Sequence, residues 1–376
     1  MKNPFIHIDE KDGQYLAENC SLNKLVLAKL PVQGIEDGLQ GKTADQVFST
    51  PVLIREMKEN AYRLGIDLAN TPQRQLPLVL EQRLTDSRKE IAAAADALVK
   101  KFGYRLGMIF LTLKKGEKEN RRARPDWNDA HWNYWAGLET VILVGGLANG
   151  LLGRRLKHYA NTLFKMAHIK PYNWVLFDNA SFVGVMGCAS LIQKPEGIST
   201  VFDFGQTNIK RSIVRKSNGD FIGITTLPSF ESKYMSCDAH NPQERMQEAK
   251  CLHKYLLKII LNTYWEARQY GEVGDEIIIS IASYTVGGRL NDRRGGYAKL
   301  SILCSNYAEC LSEELSGRLK HKVKVTLVHD GTAVALYFAD YKNAVCITMG
   351  TGFGVGFPDL LFCYFLTFML LLLLLK

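Results

Sequence analysis

No two of the eight cysteines, at positions 20, 188, 237, 251, 304, 310, 346 and 363, form a CxxC pair. Nothing has zinc-ligand spacing either, which excludes zinc fingers and related metal-built folds. An export signal is missing too: the opening "MKNPFIHIDEKDG" carries charges where such a signal needs an apolar run. These absences point to a cytoplasmic, reducing setting with free thiols. No short internal repeat is present, so stacked-repeat folds are excluded. What the chain has is length, 376 residues, enough for two ordinary domains. Its hydrophobic fraction of 47% and charged fraction of 23% belong to a globular protein.

The formal charge of +9 raises nucleic acid as a partner. Much of the excess lies in runs such as "KKGEKENRRAR" (114–124), mixed with acids and free of interleaved aromatics. That pattern reads as a solvated loop, and no nucleic-acid partner is expected. A basic cleft would equally suit an anionic small molecule such as a nucleotide. The one long apolar run, "LLFCYFLTFMLLLLLL" (360–375), is sixteen uncharged residues. About 17 to 25 are needed to cross a bilayer, so three readings stay open: an aberrant chain end, a tail anchor, or a buried hairpin. A membrane partner is expected only if that run is genuine.

Residues 42–113 have apolar positions at helical spacing, with Ser87 and Glu90 set as a capping box. Residues 114–136 read as a polar loop holding Trp127, Trp132 and Trp135. "VILVGGLANG" (141–150) is a buried strand running into a glycine turn, and a basic amphipathic helix follows. "KPEGIST" (194–200) is the best connector. After it, "TVFDFGQTNIKRSIVRKSNGDFIGITTLP" alternates as strands with "SNGD" as the turn. Strands alternating with helices over the rest give an α/β fold.

Three separated stretches could share one chemistry. In "FDFGQTN", Asp203 ends a strand and Gly205 permits a sharp turn. The amides of Gln206, Thr207 and Asn208, with the Thr207 hydroxyl, would then face phosphate oxygens, and Asp203 would hold Mg2+ through water. In "MGTGFGVGF", Gly350, Gly352, Gly354 and Gly356 free a hairpin backbone to approach an anion, with Thr351 between them. The stretch has neither the lysine of a Walker loop nor Rossmann spacing. In "LVHDGTAVALYF", Asp330 follows a strand and precedes a helix, where a carboxylate can take the proton of an attacking hydroxyl. Each stretch alone has a plain reading: a hairpin, a flexible strand pair, a helix N-cap.

Together they resemble the sugar kinase, actin and heat-shock chaperone ATPase superfamily, in its hexokinase and ROK sugar-kinase branch. "FDFGQTNIKRSIV" is similar to the first phosphate motif, "VHDGTAVAL" to the catalytic-aspartate segment and "GTGFGVG" to the second phosphate motif. "VILVGGLANG" looks like the adenosine motif and "GVMGCASL" (184–191) like the closing helix. The resemblance implies a two-lobed actin-like, ribonuclease H-like fold, with ATP and Mg2+ in a cleft between lobes. It implies Asp330 as base and Asp203 for Mg2+. Gly205–Asn208 and Gly350, Thr351, Gly352 and Gly354 would cradle phosphate, and Gly145, Gly146, Ala148 and Asn149 would bind adenosine. The motif order is that of a circular permutation. Residues 1–193 would form the nucleotide lobe, 194–200 the connector, and 201–345 the first-phosphate and substrate lobe. Residues 346–359 would return to the first lobe, with 360–376 as the apolar tail.

Departures limit the functional expectation. The ROK zinc signature and the ExGH sugar motif are absent, and His329 stands where the family has asparagine. In "SIASYTVGGRLNDRRGGYAKL", Ser283, Asn291 and Asp292 could bind hydroxyls and Arg289 an acidic group. The expected activity is transfer of the γ-phosphoryl of ATP to a hydroxyl of a sugar or related molecule. A sensing protein without turnover and a partner-coupled ATPase are the alternatives, and a homodimer is left open. Residues 1–60 hold no convincing helix-turn-helix, which disfavours DNA binding.

Overall fold

The computed structural model describes residues 2–10, 13–177, 180–236, 241–290 and 295–358. The chain opens with strands β1 (Ile6–Asp9) and β2 (Gly13–Leu16). Helices α1 (Ala44–Val47), α2 (Thr50–Glu59), α3 (Leu76–Arg83), α4 (Lys89–Lys115), α5 (Lys118–Arg122) and α6 (Asp129–Gly137) follow. Next come β3 (Thr140–Val144), α7 (Gly150–Met166), β4 (Asn173–Leu176) and α8 (Ala180–Ala189). A three-strand meander, β5 (Gly197–Phe204), β6 (Asn208–Ser217) and β7 (Asp220–Glu231), leads to α9 (Pro242–Ala267) and β8 (Val273–Ile281). The small strands β9 (Thr285–Val286) and β10 (Arg289–Leu290) precede α10 (Tyr307–Leu319), β11 (Lys324–His329) and α11 (Asp330–Tyr337). β12 (Ala344–Met349) and β13 (Phe353–Gly356) close the described chain. This is an α/β protein.

Two compact units divide the described residues: 2–5, 19–181 and 340–358 in the first, 6–18 and 182–339 in the second. "KPEGIST" and most of α8 thus fall in the second unit. The second unit carries a five-stranded sheet ordered β11-β8-β5-β6-β7. Its β5–β6–β7 meander is antiparallel, while β5, β8 and β11 run parallel. The first unit carries a four-stranded sheet, β13-β12-β3-β4, with β12 antiparallel to β13 and parallel to β3, which is parallel to β4. Both sheets therefore share one plan: a hairpin whose first strand continues into two parallel neighbours. The chain enters the plan at the hairpin in the second unit and at the parallel strands in the first.

Local chemistry explains most boundaries. Asn218 and Gly219 both take positive φ at the β6–β7 turn, the geometry that a two-residue hairpin requires. α4 ends on left-handed Gly116. Its start corrects the capping-box expectation: Arg88 occupies the N-cap without a side-chain cap, and Asp86 accepts from the Arg88 amide. The 114–136 loop is also corrected. α5 and α6 form there, Asn128 caps α6 through the Ala130 and His131 amides, and Trp127, Trp132 and Trp135 are buried. Arg124 is buried against the Trp127 ring and donates to the carbonyls of Asn19 and Ser21, while Lys115, Lys118, Glu119 and Arg122 stay exposed, so the run is part anchor and part solvated face. The free-thiol expectation holds for Cys20, Cys188, Cys251 and Cys346, whereas Cys304 and Cys310 form a disulfide.

In the second unit α8 and α11 cross closely through small residues, within a cluster that includes Val185, Cys188, Ala189 and Ala333. A Cβ on Gly187 would lie 1.7 Å from the Ala333 carbonyl oxygen, whereas one on Gly184 would meet nothing within 4 Å. The two glycines of one helix should therefore respond with opposite signs. Gly187→Ala is expected to cost about 1–3 kcal/mol by overpacking, and Gly184→Ala to gain up to about 1 kcal/mol of helix propensity. Thermal unfolding of the pair checks this, and equal shifts would refute the close crossing.

Candidate functional site

The parallel register brings three strand ends of the second unit into line. Asp203 of β5 stands opposite Ser280 of β8, and Ile281 of β8 opposite His329 of β11. Asp203, Ser280 and Asp330, the residue after β11, thus lie at the carboxyl ends of three adjacent strands, where open α/β sheets place ligands. Asp203 is held on both oxygens. Lys210, its partner across the β5–β6 hairpin, donates to Oδ2 at 2.9 Å, and the Ser280 hydroxyl donates to Oδ1 at 3.3 Å.

The turn after Asp203 is fixed from several sides. The Gly205 amide donates to the Asn208 carbonyl at 3.1 Å, and a Cβ on Gly205 would come 2.9 Å from that oxygen. The Gly205 carbonyl accepts from the hydroxyls of Ser232 and Tyr297. The Gln206 carboxamide donates to the Ala282 carbonyl, leaving Thr207 and Asn208 exposed at the tip.

Asp330 opens α11, and its Oδ1 accepts from the Gly331 amide at 2.6 Å. His329 Nε2 lies 3.1 Å from the same oxygen, and the imidazole stacks on Tyr284 at 4.4 Å with an interplanar angle of 12°. The Asp330 side chain keeps 35% of its surface exposed. Even so, burial of the carboxyl and the nearby Asp203 charge raise its pKa above the ordinary aspartate range, against the pull of His329 and Lys210. A carboxyl whose pKa is raised by burial and by a neighbouring carboxylate is a candidate for handling a proton.

In the first unit the glycine turns after β3 and β12 are neighbours. Thr348 of β12 pairs with Val144 of β3, so Gly145 and Gly350 follow strands that end side by side. Gly145 takes φ +97°, and a Cβ there would lie 2.6 Å from the Met349 carbonyl oxygen. Gly146 is exposed, Ala148 is buried, and Asn149 is the N-cap of α7. The Asn149 Oδ1 is buried without a hydrogen-bond partner among the described residues, an acceptor that suits an amino or hydroxyl donor of a ligand. Thr351 is exposed at the tip of the β12–β13 turn, with Gly352 and Gly354 on its far arm.

Several residues with no place in the motifs complete these sites. Asn23 clamps the β12–β13 turn, donating to the Phe353 carbonyl at 3.0 Å and accepting its amide at 2.7 Å. Glu81 accepts from the Leu151 amide at 2.5 Å and so occupies the N-terminus of α7. Both lie more than 60 positions away in sequence from what they hold, and nothing local betrays them. Lys210 was findable, seven positions after Asp203 across a short hairpin. Of the substrate-loop candidates, Ser283 is buried with its hydroxyl unpartnered among the described residues, and Arg289 is half-buried on β10. Asn291, Asp292 and the 360–376 tail lie outside the described residues.

Among the described residues no three His, Cys, Asp or Glu gather to hold a metal, and no helix is long and apolar enough to cross a membrane. Mg2+ needs no such cluster, since it commonly takes one or two carboxylates and completes its shell with water and phosphate. Asp203 fits that role. No family model and no curated protein matches this chain.

Proposed function

We propose that this protein is an ATP-dependent phosphotransferase acting on the hydroxyl of a small molecule, in a circularly permuted form of the actin-like, sugar-kinase fold. The observation that carries the reading is the alignment of Asp203, Ser280 and Asp330 on adjacent parallel strand ends, with the Asp330 pKa raised. The shared plan of the two sheets supports the fold, and the different point at which the chain enters each supports the permutation. When bound, ATP would supply the γ-phosphoryl group and Mg2+ would neutralise its phosphate charge. Asp330 accepts the proton of the attacking hydroxyl, and its carboxyl is held by the Gly331 amide and by His329, whose imidazole stacks on the Tyr284 ring. Lys210 and Ser280 hold Asp203 for water-mediated contact with the metal. The turns at Gly205–Asn208 and Gly350–Gly354 expose backbone for phosphate, and Gly145, Gly146, Ala148 and Asn149 take adenosine.

An acceptor screen reading ADP release from ATP across sugars, amino sugars, polyols and other alcohols tests this. Acceptor-stimulated release supports phosphotransfer. Tight ATP binding with no release against any alcohol would replace it with a sensing role.

A further inference from the structure

A cavity of about 510 Å³ runs along the outer edge of the second unit's sheet. Every residue of β11, from Lys324 to His329, lines it. At about 3.3 Å per residue the groove is roughly 16 Å long. α10 contributes one wall through Asn306 and Ser312, α11 the other through Thr332, and Gln14 of β2 closes it. One end is at His329, whose Nε2 touches the Asp330 carboxyl at 3.1 Å. One lining residue, His329, thus touches the carboxyl proposed to take the acceptor's proton, and Asp330 itself lies just beyond the cavity's lining.

Its floor is a strand edge. β11 pairs with β8 on one side only, so alternate residues turn their N–H and C=O outward. The Val323 and Val325 amides donate to Ser316 and Ser312 of α10, each at 2.9 Å, which fixes the odd-numbered residues as the outward set. By the same alternation Leu327 presents its main chain to the cavity. Gln14 lines the same cavity, and its Oε1 is buried with no hydrogen-bond partner among the described residues. An N–H donor and C=O acceptor on the floor, an unsatisfied acceptor on Gln14 and a mixed polar and apolar lining match an extended amide. Lys324 faces Glu276 in register, and Glu309 leaves the charged lining with an excess of one negative charge, which disfavours an anionic chain.

From this we infer that the groove takes an extended, amide-bearing chain laid against β11, the tail of an acceptor alcohol whose hydroxyl reaches Asp330. The inference rests on the phosphotransfer reading and narrows its substrate class. A bare monosaccharide would leave most of the groove's length untouched, whereas sites of this volume ordinarily enclose larger ligands.

Two probes of equal length separate the possibilities: 3-hydroxypropanoyl-alanyl-alanine methylamide and triethylene glycol monoethyl ether. Binding is read by calorimetry and turnover by ADP release. The amide is expected to bind at least tenfold more tightly than the ether, and Gln14→Leu to erase most of that ratio. Gln14→Trp, which fills the groove instead of stripping a polar group from it, should abolish amide binding. Equal binding of the two probes, or a ratio that both variants leave intact, overturns the groove assignment. Amide preference lost in the variants but without ADP release upholds the groove and overturns phosphotransfer. ADP release with glucose and no amide preference does the reverse.

Discussion

Asp330→Asn is expected to lower acceptor-dependent turnover by about 10²–10⁴-fold, the range lost with a general base, while leaving ATP binding intact and raising thermal stability. The first effect follows from chemistry: the carboxamide has no lone pair basic enough to take the hydroxyl proton. The second follows from burial. The native pKa is raised, so the folded protein binds this proton more tightly than the unfolded chain does. In acid below the unfolded value the carboxyl is neutral in both states and contributes no penalty. As pH rises between the ordinary aspartate value and the raised native one, the cost of burying the charge grows, and above it that cost is complete. Asparagine never bears it, so the stability advantage of the variant should widen with pH through this window. The wild-type rate should fall on acidification through the same raised pKa. Lost turnover together with lost stability at neutral pH would recast the Asp330 carboxylate as a structural charge paired with His329, whose Nε2 lies 3.1 Å from Oδ1.

How legible this site was depended on whether its parts are held locally or across the sheet. The Asp203–Gly205 turn is a short-range matter of strand, acidic residue and glycine, and the sequence pattern marks it. Asp330 stood out for the same reason, as an acid at the junction of β11 and α11. That both stand at neighbouring strand ends depends on parallel pairing through β8, a long-range choice that no local pattern encodes. The tryptophan-rich stretch misled for a related cause. Arg124 and Asn120 are polar in composition yet fully enclosed, because carbonyls of Asn19, Ser21 and Lys29, distant in sequence, satisfy their donors. The matching plan of the two sheets was invisible too, since strand order constrains backbone direction far more tightly than side-chain identity.

Arg105→Met in the first unit should show how much stability one buried charge network holds, with an expected loss of about 3–5 kcal/mol, typical when one partner of a buried pair is removed. Arg105 lies mid-helix in α4, only 6% exposed, with its guanidinium stacked on Phe102. It donates to Glu36 at 2.8 Å, to Glu56 at 2.6 Å and to the Val47 carbonyl at 3.2 Å. Methionine keeps most of the apolar stem but leaves two carboxylates facing each other with Lys101 alone to balance them. Burial by itself would raise the Glu36 pKa, and the Arg105 and Lys101 contacts outweigh it, so the native value is depressed. The stabilisation from Glu36 is therefore present above its unfolded pKa and lost as pH falls through the depressed native one. Without Arg105 that carboxyl is free to protonate, so the deficit of the variant should shrink in acid. Urea unfolding at neutral and acidic pH measures this directly. Adding Glu36→Gln and Glu56→Gln to Arg105→Met should restore most of the loss, because the uncompensated charges go with it. A triple variant as unstable as the single one would place the cost in packing around Phe102 instead of in charge.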